Sequence, residues 1–412
     1  MDAIVLNPHH VRDAEVIVGI PSFNEAGTIS NVAATADQGL REYFPHMKSV
    51  IINADNDSPD GTREAFLNAE TKAPKIYLSS PKGEKGKGRN VRNLFLAAVE
   101  LGARSVVIVD ADLTSFTPKW IQRLGEPLFN GFDYVSPIYE RHKYDASITN
   151  HFARPLLQAL YGLRICQPIG GDFGFSGKAA MAFLSENLWT DQVARFGIDI
   201  WMTTLAYLRG LKVCETFLGS CKSHRVKDPA RELSTMFQDV IATMFHLLVP
   251  FEYLWKQNIG TRPSQVFGHG LGVHEKPPVP SVDVRHLHRT FLEGSRSFRE
   301  TWSKVIPEPD RATVEKLASQ AMASFYYPSE LWVRILYDYA VAYRDGVVPH
   351  QTLLDSLVPF YYSRMLSYIN KTRDMETREC EEYLEAIYRI YEKEKPYLMG
   401  RWDEGRTDFL DG

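Results

Sequence analysis

Ser105-Val106-Val107-Ile108-Val109-Asp110-Ala111-Asp112 decides the fold. A short β-branched run ends in two acids, which is how a buried strand reads when it stops at a polar loop. Working toward the N-terminus, Glu15–Ile20, Ser49–Asn53 and Lys75–Ser79 are three further runs of this kind. Helical patterns over Ala26–Tyr43, Arg63–Glu70 and Gly88–Leu101 separate them. Strand and helix in alternation predict a mostly parallel sheet in an α/β domain. In such sheets ligands sit beyond the carboxyl ends of the strands. Asn24-Glu25, Asp55–Thr62 and Asp110–Asp112 all fall there.

At 412 residues the chain exceeds one ordinary core, and two domains are expected. We place an α/β domain at 1–265 and a helical C-terminal region at 285–412, joined through the Gly-, Pro- and His-rich stretch from about Phe267 to Val284. Ala312–Tyr343 reads as helix broken by Pro328, followed by helical Gln351–Ile369 and Glu376–Glu394. The aromatics of these helices are expected to form core or a homo-oligomer interface.

A formal net charge of -4 with nearly balanced acids and bases argues against nucleic-acid binding. The longest apolar stretches fall well short of the roughly 20 residues of a membrane span. Met1–Arg12 lacks the features of a signal peptide, so a cytoplasmic protein is expected. Cys166, Cys214, Cys221 and Cys380 contain no CxxC pair. Reduced thiols are expected, with a Cys214–Cys221 pairing as the alternative.

The chemistry-bearing residues follow from the same frame. Strand alternation would set Asp110 and Asp112 on one face, about 7 Å apart. Neighbouring carboxylates repel, and a hard divalent cation relieves this while holding a diphosphate. A pattern this short equally describes a solvated strand end. Asp55-Asn56-Asp57-Ser58-Pro59-Asp60-Gly61-Thr62 is a tight turn, with Thr62 expected to cap the next helix and Asp55 to meet a base or ribose. Lys82–Arg89 alternates lysine and glycine ahead of a helix, which favours phosphate contact by Lys87 over a merely charged loop. Gly170-Gly171 lie in a polar loop, and Asp199 falls in the first turn of a helix, where a carboxylate also serves the helix dipole. His224 is the candidate third metal ligand beside Asp110 and Asp112.

Together, Pro21-Ser22-Phe23-Asn24-Glu25, Asp55–Thr62 and Asp110-Ala111-Asp112 resemble the PxxNE, DDxSxDGT and DxD segments of GT-A glycosyltransferases. More narrowly, Asp110–Phe116, Gln167–Gly171, Gly197-Ile198-Asp199 and Ser223-His224-Arg225 resemble the retaining mannosylglycerate synthases. The related glucosyl-3-phosphoglycerate synthases share the QPxGG loop and the HR element. Glu330-Leu331-Trp332 and Tyr361–Tyr368 extend the likeness into the helical region. The resemblance implies a GT-A fold and transfer, with retention, of glucose or mannose from a GDP-, UDP- or ADP-linked donor. It implies Mg2+ or Mn2+ on Asp110, Asp112 and His224, with Pro21, Asn24, Glu25, Asp55, Lys87, Asp110, Ala111, Gly170 and Gly171 at the donor. Asp199 and Asp112 are the expected catalytic pair.

Arg141, Asp145 and Thr149 stand at i, i+4 and i+8, one face of a helix. The pair Arg141–Asp145 alone would be an ordinary surface contact. In the mannosylglycerate synthases these residue types at this spacing hold glycerate, and a guanidinium fork suits its carboxylate. The phosphoglycerate enzymes instead carry Arg-Val-Thr and an Asn after the HR element. Here Ser147-Ile148-Thr149 and Val226 occupy those places, which favours D-glycerate over 3-phosphoglycerate. Two departures touch the donor side. The mannosylglycerate synthases lack the DSxDGT turn, and Phe23 replaces their Lys. A non-catalytic nucleotide-sugar binding protein is the reading from another class. An inverting, membrane-associated transferase would want a basic amphipathic helix that the chain lacks. A nucleotidyltransferase would carry its Lys-Gly loop after the first strand rather than the third.

Overall fold

The structure is a computed structural model that describes residues 4–223, 229–270, 277 and 279–404. Its chain divides into two compact units. One holds 1–141, 165–232 and 263–278; the other holds 142–164, 233–262 and 279–412.

The first unit is built on a nine-stranded sheet. In chain order its strands are β1 (Ile4–Leu6), β2 (Val16–Ser22), β3 (Ser49–Asp55), β4 (Lys75–Ser79), β5 (Ser105–Ile108), β6 (Tyr134–Glu140), β7 (Phe173–Phe175), β8 (Val213–Cys221) and β9 (Gln265–Val266). Across the sheet they run β1-β4-β3-β2-β5-β7-β6-β8-β9. The pairs β4-β3-β2-β5 and β6-β8-β9 are parallel. β7 runs antiparallel between β5 and β6, and β1 antiparallel on the β4 edge. The expected α/β architecture is therefore present.

Burial explains the continuous apolar runs. Val16, Ile17, Val18, Ile51, Ile52, Val106 and Val107 are all 0% exposed, because helices cover both faces of a parallel sheet. The crossover helices are α1 (Ile29–Tyr43), α2 (Thr62–Asn68), α3 (Lys87–Glu100) and α4 (Pro118–Phe129). Val32, Ala36 and Leu40 of α1 and Trp120, Ile121 and Leu124 of α4 share one core with β2 and β5. Thr62 does not cap α2 as expected. Gly61, at φ 92°, is the cap residue, and Thr62 is the first helical residue. Its hydroxyl accepts the Glu25 amide and donates to Asp60, so it ties two loops together instead.

The second unit is helical and begins earlier than the boundary at 265. Residues 142–164 and 233–262 belong to it. The reason is apolar packing within the unit. Phe237 stacks on Tyr361 at 4.1 Å between centroids, and Phe245 lies 6.3 Å from Phe152 and 5.8 Å from Tyr343. Pro328 does split the C-terminal helical stretch, into Glu308–Leu317 and Ser329–Asp345. Helices His350–Thr372 and Thr377–Glu404 follow.

None of the four cysteines forms a disulfide, which removes the Cys214–Cys221 alternative. Among the described residues no helix is long and apolar enough to cross a membrane.

Candidate active site

The carboxyl ends of β2, β3 and β5 gather the expected polar segments. β5 stops at Ile108, so Asp110 and Asp112 do not alternate on a strand face as expected; they sit in the turn that follows. The cause is a captured backbone. The Asp110 amide donates to Asp172 Oδ1 at 2.9 Å, a side-chain acceptor in place of a ladder partner.

Asp110 is the hub of a largely buried ionic network. Its Oδ1 lies 2.8 Å from Lys87 Nζ and its Oδ2 2.9 Å from Lys222 Nζ. Lys222 also reaches Asp172 at 2.7 Å and the Gly170 carbonyl at 2.8 Å. Lys87 reaches the Asp199 carboxylate and the Gly171 carbonyl, both at 3.4 Å. Tyr139 donates to Asp172 and to the Gly170 carbonyl. Burial alone would raise the Asp110 carboxyl, but Lys222 and Lys87 outweigh it and hold the group well below the ordinary carboxylate range. Burial works the other way on the two lysines, and the facing aspartates more than offset it, keeping both charged far into alkali. Asp199 differs. Burial pushes its carboxyl up, and Lys87 reverses that only in part. It lies in the first turn of helix Ile198–Leu208, as expected.

Lys222 and Asp172 are functional candidates that no sequence motif marks. Lys222 follows β8, where no repeat or glycine-rich loop marks it. Ser223 anchors the end of that strand, its amide donating to Ser115 Oγ and its carbonyl accepting the Thr114 amide. Residues 114–115 of the stretch Asp110–Phe116 therefore dock the chain just before His224.

Asp55 does not present itself to a base. It is 0% exposed, and its two oxygens accept from Ser22, Ser58 Oγ, the Ser58 amide and Tyr77. Four donors fill a carboxylate, so Asp55 shapes the turn instead of meeting a ligand. Asn24, at φ 59°, donates its amide to Ser58 Oγ and so pins the two loops. Glu25 is buried and accepts from the Thr28 hydroxyl. Pro21 is the penultimate residue of β2, and Ala111 is buried beside Asp110.

The helix face expected of Arg141, Asp145 and Thr149 is not formed. Arg141 follows β6 outside any helix, its guanidinium 5.2 Å over the Tyr139 ring. Asp145 lies in a turn closed by its own amide on the His142 carbonyl. Ala146 then takes φ 54°, which a helix does not tolerate. Thr149 opens a π-helix, Thr149–Ala153. Arg141 belongs to the first unit and the other two residues to the second.

Gly171 explains itself in this setting. Its φ is 85°, and a Cβ there would collide with Asp110 Oδ2 and Lys222 Nζ. Gly171→Ala is expected to cost about 1–3 kcal/mol through the left-handed backbone and to disturb the Asp110–Lys222 pair besides. Gly131 has φ 89° with open space around it, so Gly131→Ala is the control for backbone strain alone. Melting temperatures of the two variants should fall, while only Gly171→Ala should lose turnover.

The donor chemistry fits a hard divalent cation. Asp110 and Asp112 offer carboxylate oxygens, and each Asp110 oxygen retains a lone pair beyond its lysine. Among the described residues no group of three His, Cys, Asp or Glu side chains is assembled to hold a metal. His224, the expected third ligand, lies outside the described residues.

The sheet order, with its one antiparallel strand between β5 and β6, and the loops at its carboxyl edge define a domain of the GT-A type. The family model described as the mannosylglycerate synthase GT domain matches residues 60–246. That match spans the Lys87, Asp110, Asp172, Asp199 and Lys222 network. A mannosylglycerate synthase of Selaginella moellendorffii is 29% identical over 169 residues, 39% of this chain and 38% of the relative. One of Rhodothermus marinus is 28% identical over 164 residues, 39% of this chain and 41% of the relative. The chain thus spans about two fifths of the length of these curated relatives. A solved glucosyl-3-phosphoglycerate synthase of Mycobacterium tuberculosis, in complex with Mn2+, UDP and glucosyl-3-phosphoglycerate, is 24% identical, covers 56% of this chain and 79% of that one, and superimposes with a TM-score of 0.45. By sequence, then, the chain is similar to the mannosylglycerate synthases.

Proposed function

We propose that this chain is a metal-dependent, retaining hexosyltransferase that moves glucose or mannose from a nucleotide-diphospho-sugar to D-glycerate. The observation that carries this is the buried network of Lys87, Asp110, Asp172, Asp199 and Lys222, held at the carboxyl edge of the sheet within the stretch matched by the family model. Lys87 opens α3 behind the glycine-rich loop, so it brings positive charge where a pyrophosphate would arrive. Mg2+ or Mn2+ on Asp110 and Asp112, completed by His224, would supply Lewis acidity toward the departing diphosphate. Lys87 and Lys222 fix the Asp110 carboxylate in its ionised form and in one orientation. Asp199 stands 3.4 Å from Lys87 and is assigned to orient the sugar or acceptor rather than to act as nucleophile. In a front-face path the leaving phosphate takes the acceptor proton, so no separate base is needed. Arg141 is assigned to the glycerate carboxylate.

The test is a matrix of GDP-mannose, GDP-glucose, UDP-glucose and ADP-glucose against D-glycerate, 3-phosphoglycerate and glycerol, with and without Mg2+ or Mn2+, analysed by mass. A hexosylglycerate formed only with metal is the expected product. Product from 3-phosphoglycerate alone would overturn the acceptor assignment. Donor binding with neither transfer nor hydrolysis would make the chain a nucleotide-sugar binding protein.

A further inference from the structure

The helical unit buries a cation that no described residue pairs with as an ion. Arg364, in helix His350–Thr372, is 0% exposed. Its Nη1 donates to the Tyr327 carbonyl at 3.2 Å. Its Nε and Nη2 find no acceptor among the described residues, and neither does the buried hydroxyl of Tyr327. A guanidinium does not shed its charge in a protein, so the group is buried ionised. Water would accept these hydrogens but would not answer the charge, and an uncompensated buried charge costs several kcal/mol.

The surroundings are mainly donors and rings; the Asp310 carboxylate acts on Tyr327 through space and is itself paired with Arg334. Tyr327 packs against Trp332 and Phe360, at 6.1 and 6.4 Å between centroids. His151 lies 4.6 Å from the Tyr368 ring, and its Nδ1 also lacks a partner among the described residues. Burial and the charge of Arg364 hold that imidazole well below its ordinary value, hence neutral. A site rich in unfilled hydrogen-bond donors, with a fixed positive charge and no described carboxylate on it, lacks an acceptor that is itself negative.

We propose that Arg364 and the Tyr327 hydroxyl bind a small monovalent anion of the halide class inside the helical unit. The anion accepts from Nε, Nη2 and the Tyr327 hydroxyl. It thereby secures the contact between helix His350–Thr372 and the segment before helix Ser329–Asp345. The same neighbourhood supports His151, whose carbonyl accepts from Trp332 and Tyr391, and so steadies the π-helix that begins at Thr149.

The test uses the full chain freed of halide in gluconate buffer, melted across a chloride series at constant ionic strength. Binding predicts a melting temperature that rises on the order of 5 °C over a hundredfold increase in chloride beyond the dissociation constant. Tyr327→Phe should weaken the apparent chloride constant about tenfold, the loss of one hydrogen bond to a charged group. Arg364→Met should melt independently of chloride. If that variant does not fold, crystals of the unaltered chain grown in bromide decide the matter, because an anomalous peak is expected within hydrogen-bond reach of Nε and Nη2. A flat chloride series for the unaltered chain, an undiminished chloride response in Arg364→Met, or no bromide peak at Arg364 would each overturn the proposal.

Discussion

Asp112→Ala is expected to lower the rate of sugar transfer by at least about a thousandfold while the protein still folds. The argument rests on where the two aspartates stand. Asp110 is flanked by Lys87 at 2.8 Å and Lys222 at 2.9 Å, so removing it strips one buried and one half-buried ammonium group of a counter-charge. Such a change confounds catalysis with stability. Removing Asp112, two residues on in the same turn, leaves Lys87 and Lys222 their Asp110 counter-charge, so its loss tests the metal role without dismantling that network. The measurement is kcat across a Mn2+ or Mg2+ titration, beside a thermal melt. Low turnover at every metal concentration with a near-normal melt is the expected pair. Undiminished turnover would remove Asp112 from the metal and the scheme with it.

The strands were legible because a parallel sheet is buried on both faces. Val106-Val107-Ile108 and Val50-Ile51-Ile52 have no polar interruption to mislead the eye, and a breaker or acid ends each run. The order of the strands was not legible, since the antiparallel insertion of Phe173–Phe175 depends on contacts far apart in sequence. Part of the site shares that fate. Lys222 has meaning only because β8 lies beside β6, with β7 between β6 and β5, which brings its ammonium to Asp110, 112 residues away. The spacing of Arg141, Asp145 and Thr149 misled because i, i+4, i+8 is necessary for a helix face but does not produce a helix. A turn at His142–Asp145 and the left-handed Ala146 intervene. The compact units interleave where one boundary at 265 was expected, for a related reason. Composition marks the glycine-rich linker, whereas unit membership follows the apolar faces of 142–164 and 233–262, which pack on later helices.

Lys222→Met carries the largest expected loss of stability. Methionine keeps the length of the side chain and removes its charge. Asp172, 0% exposed, would then keep only the Asp110 amide and the Tyr139 hydroxyl, with no cation at 2.7 Å. Removing one partner of a buried pair costs about 3–5 kcal/mol, mainly because the other charge stays buried. In an α/β unit of this size that corresponds to a melting temperature lower by about 10 °C. The pH dependence has a definite sign. The depressed Asp110 carboxyl stabilises the fold above the unfolded value, about 4, and that contribution fades as the pH falls. The raised Lys222 ammonium stabilises it below the unfolded value, about 10.4, and that contribution fades as the pH rises. The difference between the unaltered chain and Lys222→Met should therefore be full between about pH 4 and pH 10 and narrow on either side. Urea unfolding at pH 3, 7 and 11 measures it. Asp172→Asn added to Lys222→Met should recover part of the loss, because the orphaned charge is then gone and the two sites share one network. A gap that does not change with pH, or a double variant as unstable as the sum of the singles, would mean that the Lys222 side chain acts by packing and not by its charge.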